Sequence, residues 1–158
     1  MVMNILFATM NRDFTFNDLV IFYALSFSRN YEMILQFFQA RQKPFGPPFP
    51  FLDDILHDTY GLLIFQEQLM EISERIGGCT SEESNELRRL MGKLHRDGLT
   101  ERRPAFVRHA VDNDYTEKQA NALYDWLTSH AAYLFKRQFA EDSMTQWLKS
   151  EYERRFRS

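Results

Sequence analysis

Apolar residues recur along this chain at alternating spacings of three and four, the period of helices with one buried face. Ile34, Phe37 and Phe38 set one such stripe; Leu62, Phe65, Leu69, Ile72 and Ile76 set a second; Leu87, Leu90, Met91 and Leu94 set a third. Leu123, Leu127, Ala131 and Leu134 continue the series, and in the last segment, Phe139 to Phe156, Met144, Trp147, Leu148 and Tyr152 are expected to face inward. Helix starts are marked by polar side chains that satisfy free N–H groups. Thr15 precedes Asp18 by three residues, Thr80 precedes Glu83, and Thr116 precedes Gln119, each spacing that of a capping box. Helices are predicted from about Phe16 to Phe27 and from Tyr31 to Gln42, with Ser28–Asn30 as the break between them. Gly77 and Gly78 end the helix that carries Ile72 and Ile76.

Lys43 to Pro50 cannot be helical, because prolines lack the donor N–H and push the preceding residue towards extended geometry. Four of the five prolines fall here, at positions 44, 47, 48 and 50. Phe45, Phe49 and the following Phe51 mark this as a packed crossing and not a floating linker. The reading is an all-α, single helical domain over residues 1–158, with about six to seven helices: a first helical pair at 11–43, a Pro-rich connector at 44–50, and a helical core at 51–158.

At 158 residues and 44% hydrophobic, the chain is long enough to bury one core. The six glycines supply little material for the tight turns of an all-β fold. The formal net charge of -3 excludes a protein that coats nucleic acid by bulk electrostatics, so any polyanion site must be local. Cys79, the single cysteine, excludes an intramolecular disulfide or a cysteine zinc cluster and is read as structural. Met1 to Met10 is apolar but lacks a basic leader region and runs into Asn11-Arg12-Asp13, which does not fit a signal peptide. With no run of ~18 uncharged apolar residues for a membrane span, a cytoplasmic location is expected.

Candidate chemistry is sparse among the acids and histidines. Asp53 and Asp54 are adjacent, so on a helix they point about 100° apart and fit a solvated helix start better than a shared metal. Asp112 and Asp114 read as a turn before the Thr116 cap. His57, His95, His109 and His130 lack zinc-site spacing. No metal, cofactor or catalytic residue is expected. The cations are more informative: Arg88, Arg89, Lys93, Arg96, Arg102, Arg103 and Arg108 stand against Asp97 and Glu101, a local net charge of +5. Arg88 and Arg89 either pair with the acids at 82–86 one or two turns earlier or face an anionic ligand.

The order of short motifs carries more. Tyr60-Gly61, then Phe65-Gln66-Glu67-Gln68-Leu69-Met70, then Leu87-Arg88-Arg89-Leu90-Met91-Gly92-Lys93 resembles the α subunit of bacterial DNA polymerase III, the C-family replicative polymerases. That family has a Tyr-Gly, a Tyr-Gln-Glu-Gln-Val-Met helix and a Leu-Arg-Arg-Ala-Met-Gly-Lys-Lys segment in the same order. Phe16–Val20, Phe37–Lys43, Phe106–Ala110, Tyr133–Phe135 and Trp147–Lys149 extend the likeness. Two segments depart. An Arg-Pro-Gly-Pro of the family is replaced by Phe27 to Tyr31, with Arg29 as the surviving cation, and a Phe-Asn-Lys-Ser-His-Ala by Phe135 to Ala140, which keeps Arg137.

The resemblance implies a fingers-type module with Arg88, Arg89, Lys93, Arg137 and Arg29 as nucleotide- or DNA-binding residues. The metal-binding aspartates of the family lie upstream, in a palm, so no independent catalysis is expected; the implied partners are a palm-containing chain, dNTP and primer–template DNA. An alternative is a phage- or mobile-element-encoded decoy that keeps the helical frame and binds a host replication or defence protein.

Overall fold

The computed structural model describes residues 14–44 and 46–157; the readings made for Met1 to Asp13 and for Phe45 lie outside the described residues. The helix α1 (Phe16–Phe27) opens on Thr15, whose hydroxyl oxygen accepts from the Asp18 N–H at 3.1 Å while the Asp18 carboxylate accepts from the Thr15 N–H at 3.0 Å. The two free donors at the helix start thus satisfy one another's partners, as the spacing predicts. α2 (Tyr31–Gln42) is capped by Asn30, which accepts from the Met33 N–H. A four-residue turn, α3 (Asp53–Leu56), follows the Pro-rich connector.

Next come α4 (Gln66–Arg75), α5 (Ser81–Gly92), α6 (Arg96–Asp112), α7 (Glu117–His130) and α8 (Arg137–Phe156). Both remaining capping boxes form: the Thr80 hydroxyl oxygen accepts from the Glu83 N–H at the start of α5, and that of Thr116 from the Gln119 N–H at the start of α7. The described residues thus hold seven helices of ten residues or more, besides α3. No helix among them is long and apolar enough to cross a membrane.

The buried side chains form two clusters. One gathers α3 to α7 around Leu56, Leu69, Ile72, Leu87, Met91, Phe106, Leu123 and Leu127. The other gathers α1, α2 and the first half of α8 around Ile21, Leu25, Phe37, Phe65, Ala140 and Met144. Each fully buried Leu or Phe here contributes roughly 2–3 kcal/mol over an exposed one. The Pro-rich connector is packed on the first of them, with the Phe49 ring 5.8 Å from Trp126 and that of Phe51, just after it, 4.9 Å from Tyr115.

Two glycine-bearing motifs have a steric basis. Tyr60 and Gly61 both hold positive φ, 57° and 85°, and a Cβ on Gly61 would lie 2.9 Å from the Gly46 carbonyl carbon, so the connector's backbone lies directly against it. At Gly77 a Cβ would meet the Phe106 ring at 2.3 Å, which lets α6 pack closely over the end of α4.

Several helix limits differ from the periodicity. Leu62 and Phe65 fit the stripe of α4, yet the helix begins only at Gln66. Leu62 and Ile64 enter the α1 cluster and Leu63 the α4 cluster, the alternation of an extended chain; Phe65 joins Leu62 and Ile64 where the chain turns into α4. Leu94 follows the end of α5, with φ of 51° and 55% exposure, so it is not part of the buried stripe. α7 stops at His130, leaving Leu134 in an extended link, and α8 begins at Arg137. Leu148 and Tyr152, expected inside, are exposed, because α8 runs on past the helices it packs against. α6 carries Pro104 in its interior, a position that withholds one backbone donor from the helix.

Candidate functional site

The Gln66-Glu67-Gln68 motif is built into the scaffold at the start of α4. The Gln68 carboxamide is buried; its Oε1 accepts from the Ile64 and Phe65 N–H groups, both at 3.0 Å, and its Nε2 donates to Thr59 Oγ1 at 2.7 Å. Thr59 Oγ1 in turn lies 2.6 Å from the Leu62 carbonyl and 3.1 Å from that of Leu56. One glutamine therefore closes the extended Leu62–Phe65 segment onto the turn before it. Gln66 holds the other side: its N–H donates to the Phe135 carbonyl at 2.9 Å, and the Phe135 N–H donates to the Ile64 carbonyl at 3.0 Å. That bridge ties the link before α8 to the start of α4.

Arg137, the first residue of α8, sits on this bridge. Its guanidinium lies 4.5 Å over the Phe65 ring and forms an ion pair with Asp58. Beside it is a cleft of about 350 Å³ lined by Asp54, His57, Asp58, Glu67, Glu71 and Arg137, among others. Glu67 Oε2 is buried there without a hydrogen-bond partner among the described residues. Arg75 spans Asp54 and Glu71 at 2.7 and 3.0 Å, and its hydrogen bond holds the Asp54 carboxyl below the usual carboxylate range. Asp53 and Asp54 open α3. Among the described residues no group of three or more His, Cys, Asp or Glu is placed to hold a metal ion.

The three cations of the Leu-Arg-Arg segment share α5, whose buried face is Ser84, Leu87 and Met91. Arg88 flanks that face, and its Nε and Nη2 both donate to Asn85 Oδ1, at 3.0 and 2.8 Å. That fork fixes the guanidinium along the helix. Arg89 lies opposite the core and Lys93 at the C-terminal cap, both exposed, and neither forms an ion pair among the described residues. Two of the three acids before them are used elsewhere: the Glu83 carboxylate accepts from the Thr80 N–H, and Glu86 pairs with Arg102 at 2.6 Å. The rest of the basic island disperses along α6, where Arg103 pairs with Asp125 and lies 4.6 Å over the Tyr124 ring.

The link that carries Arg137 also reaches α5. Ala131–Tyr133 packs on α5, and Ala131 shares a cluster with Met91. The segment from Ala131 to Arg137 thus runs from α5 to the start of α4. Arg29 stands apart on the α1 side, exposed, with φ of 56° in the turn before α2. The two segments that depart from the resemblance meet there: the Phe27 ring is 5.4 Å from Phe135 and 6.3 Å from Phe139. Phe27 and Phe139 are 63% and 50% exposed, an aromatic cluster open to solvent.

Sequence reasoning missed Asp58 and Thr59. Asp58 lies 79 positions from Arg137, and nothing local marks the pair. The role of Gln68 had a signal, since it stands third in its helix, the capping-box position. Cys79 is half-buried, its thiol pushed up to about 11 chiefly by burial. His95 caps α6, its Nδ1 accepting from the Gly98 N–H at 3.0 Å.

Residues 3–114 match the family described as the bacterial DNA polymerase III alpha subunit finger domain. The chain is 32% identical over 142 residues to the DNA polymerase III subunit alpha of Borreliella burgdorferi, covering 85% of this chain and 12% of the relative. It is 35% identical over 107 residues to that of Thermus aquaticus (65% and 9%) and 36% over 97 residues to that of Bacillus subtilis (61% and 9%). It therefore spans about a tenth of the length of these relatives. On the extent of these matches, with the Tyr-Gly, Gln-Glu-Gln and Leu-Arg-Arg segments all lying inside the matched region, the chain belongs to the finger-domain family of the bacterial DNA polymerase III α subunit.

Proposed function

We propose that this chain is a fingers module that contributes nucleotide and template contacts in DNA replication beside a palm carried elsewhere, without catalysing phosphoryl transfer by itself. The observation that carries this reading is the cation group on α5: Arg89 and Lys93 are exposed without ion pairs among the described residues, and Arg88 is held in a fixed fork by Asn85. The fork gives Nε and Nη2 to Asn85, so contact with phosphate oxygens falls to the Nη1 side of the guanidinium, with Arg89 and Lys93 adding charge at the same helix end. Metal-assisted activation of the attacking hydroxyl belongs to the palm in this scheme. Arg29 extends the cationic surface on the α1 side, while Arg137 supports the site by locking the link before α8 onto Phe65 and Asp58.

The test is binding of a fluorescein-labelled primer–template, and of dNTP added to it, across a salt series. Binding is expected to weaken as salt rises, and Arg88→Ala with Arg89→Ala is expected to reduce affinity by about tenfold or more and flatten the salt slope. Unchanged binding in the double variant refutes the reading.

A second reading is favoured by one observation, the solvent-open cluster of Phe27, Phe135 and Phe139, since exposed apolar patches mark protein contacts. In it the chain is a polymerase-like decoy encoded by a phage or mobile element that binds a host replication or defence protein. Recovery of one stoichiometric partner from host extract, lost on Phe27→Ser with Phe139→Ser, supports it; no such partner counts against it.

A further inference from the structure

We propose that the last turns of α8 pair with the same turns of a second copy of this chain as an antiparallel, two-fold helix pair. Within α8 only Ala140 and Met144 are buried, and Trp147 is half-buried against the α1 cluster. No residue from Leu148 to Arg157 is buried. That stretch nevertheless carries Leu148, Tyr152 and Phe156, exposed by 36%, 63% and 71%. A spacing of four turns the helix by about 400°, so these three form one narrow apolar stripe over successive turns. The Tyr152 and Phe156 rings already pack together at 4.9 Å.

The charges beside the stripe select the occupant. By helix geometry one border carries Glu151 and Arg155, the other Lys149 and Glu153; Arg154 points to the far side, about 200° from Tyr152. Each border therefore holds one acid and one base four residues apart. Antiparallel helices bring each border against its own counterpart, reversed. With the two-fold axis at the level of Tyr152, Glu151 faces Arg155 of the second copy and Lys149 faces Glu153 of the second copy. In the same register Leu148 meets Phe156 of the second copy and Tyr152 meets Tyr152, so the whole stripe is covered. Glu151 is now held within its own helix by Arg154 at 2.8 Å and Arg155 at 3.5 Å, so the contact with the second copy exchanges these exposed local pairs for one across the interface.

Direction follows from the body of the fold as well. The first half of α8 is packed on α1, so a parallel pair would drive two such bodies together at one end. An antiparallel overlap of Leu148 to Phe156 ends where the packed half begins, and it opposes the two helix dipoles. Three apolar residues per copy make an interface smaller than the ~1,200 Å² of standard complexes, so the pair is weak, with a dissociation constant of roughly tens of micromolar. The border charges set direction and register more than strength.

Sedimentation velocity on the full chain, from about 5 to about 300 µM, spans the expected constant. The unmodified chain is expected to pass from monomer to dimer. Tyr152→Ser with Phe156→Ser is expected to weaken the dimer by about tenfold or more with unchanged helical circular dichroism. Glu151→Lys with Glu153→Lys makes both borders basic, and Lys149→Glu with Arg155→Glu makes both acidic; each variant alone is expected to stay monomeric and the mixture to form a one-to-one dimer. Tyr152→Cys is expected to cross-link to itself on oxidation and Phe156→Cys not to. A chain that stays monomeric at the highest concentration, charge variants that dimerise as well singly as mixed, or equal cross-linking at both positions overturns the proposal.

Discussion

The Tyr60 hydroxyl donates a 2.6 Å hydrogen bond to the buried carboxylate of Asp18, joining the turn after α3 to the first turn of α1. The same carboxylate accepts from the Thr15 N–H at 3.0 Å and pairs with Arg41 Nε at 3.2 Å. A residue that caps a helix locally thus also neutralises a cation from α2 and fixes a turn 42 positions away. Burial first, and the Asp18 hydrogen bond second, raise the Tyr60 phenol above its ordinary value.

That shift sets an alkaline limit. Because the folded phenol holds its proton to higher pH than the unfolded one, the unfolded chain loses protons first as pH passes about 10, and stability falls from there upward. Tyr124, buried with its hydroxyl donating to the Leu99 carbonyl at 2.6 Å and pushed up to about 12, acts in the same sense. Melting temperature is expected to be insensitive to these phenols from pH 7 to about 9.5 and to drop above about 10. Tyr60→Phe is expected to cost about 1–2 kcal/mol at neutral pH and to reduce the alkaline slope. A melting series on the unmodified chain and on Tyr60→Phe checks it.

Removing the Gln68 carboxamide leaves two buried N–H groups and the Thr59 hydroxyl short of partners. Gln68→Leu is expected to cost about 3 kcal/mol in urea unfolding, while primer–template affinity per folded molecule stays within about twofold of the unmodified chain. A large loss of affinity at full folding would instead make Gln68 a contact residue.

Gly61 meets the connector backbone with no side chain to move aside and holds φ of 85°. Gly61→Ala is expected to destabilise by about 2 kcal/mol or more. Gly46, which has φ of 73° but open space around its Cβ position, is expected to lose less, about 1 kcal/mol, on the same change. Denaturant midpoints of the two variants give the comparison.

The Cys79 thiol, raised to about 11, is almost wholly protonated at neutral pH. Alkylation by iodoacetamide at pH 7.5 is expected to run at least about tenfold slower in the folded chain than in urea, where an ordinary thiol pKa returns. Mass spectrometry of the time course reads the ratio.

Much of the helical frame is legible in the sequence because its signals are local. Thr15, Thr80 and Thr116 each form the box that their spacing predicts, and the spans of α1 and α2 follow from their flanks. Leu62 to Phe65 misled because an uninterrupted apolar run satisfies both a helical period and an alternation between two cores, and only tertiary packing decides. Leu148 and Tyr152 carry the spacing of a buried face, but spacing does not reveal where the neighbouring helix stops. At the site, the cations on α5 stand out by charge, and of the acids near them in sequence Glu83 is committed to a cap and Glu86 to Arg102. Arg137 is singled out only by the resemblance, whereas its partner Asp58 has no local sign.

The extended segment from Leu62 to Phe65 acts as a mechanical strap. Its alternate side chains are anchored in different cores, its end is clamped by Gln68, and it is bridged to Phe135. A displacement of α1 and α8 is therefore transmitted to α4 within four residues, with no slack loop to absorb it. The two halves are expected to loosen together, with the amides of Phe65, Gln66 and Phe135 among the last to exchange with solvent, which native-state hydrogen exchange reads.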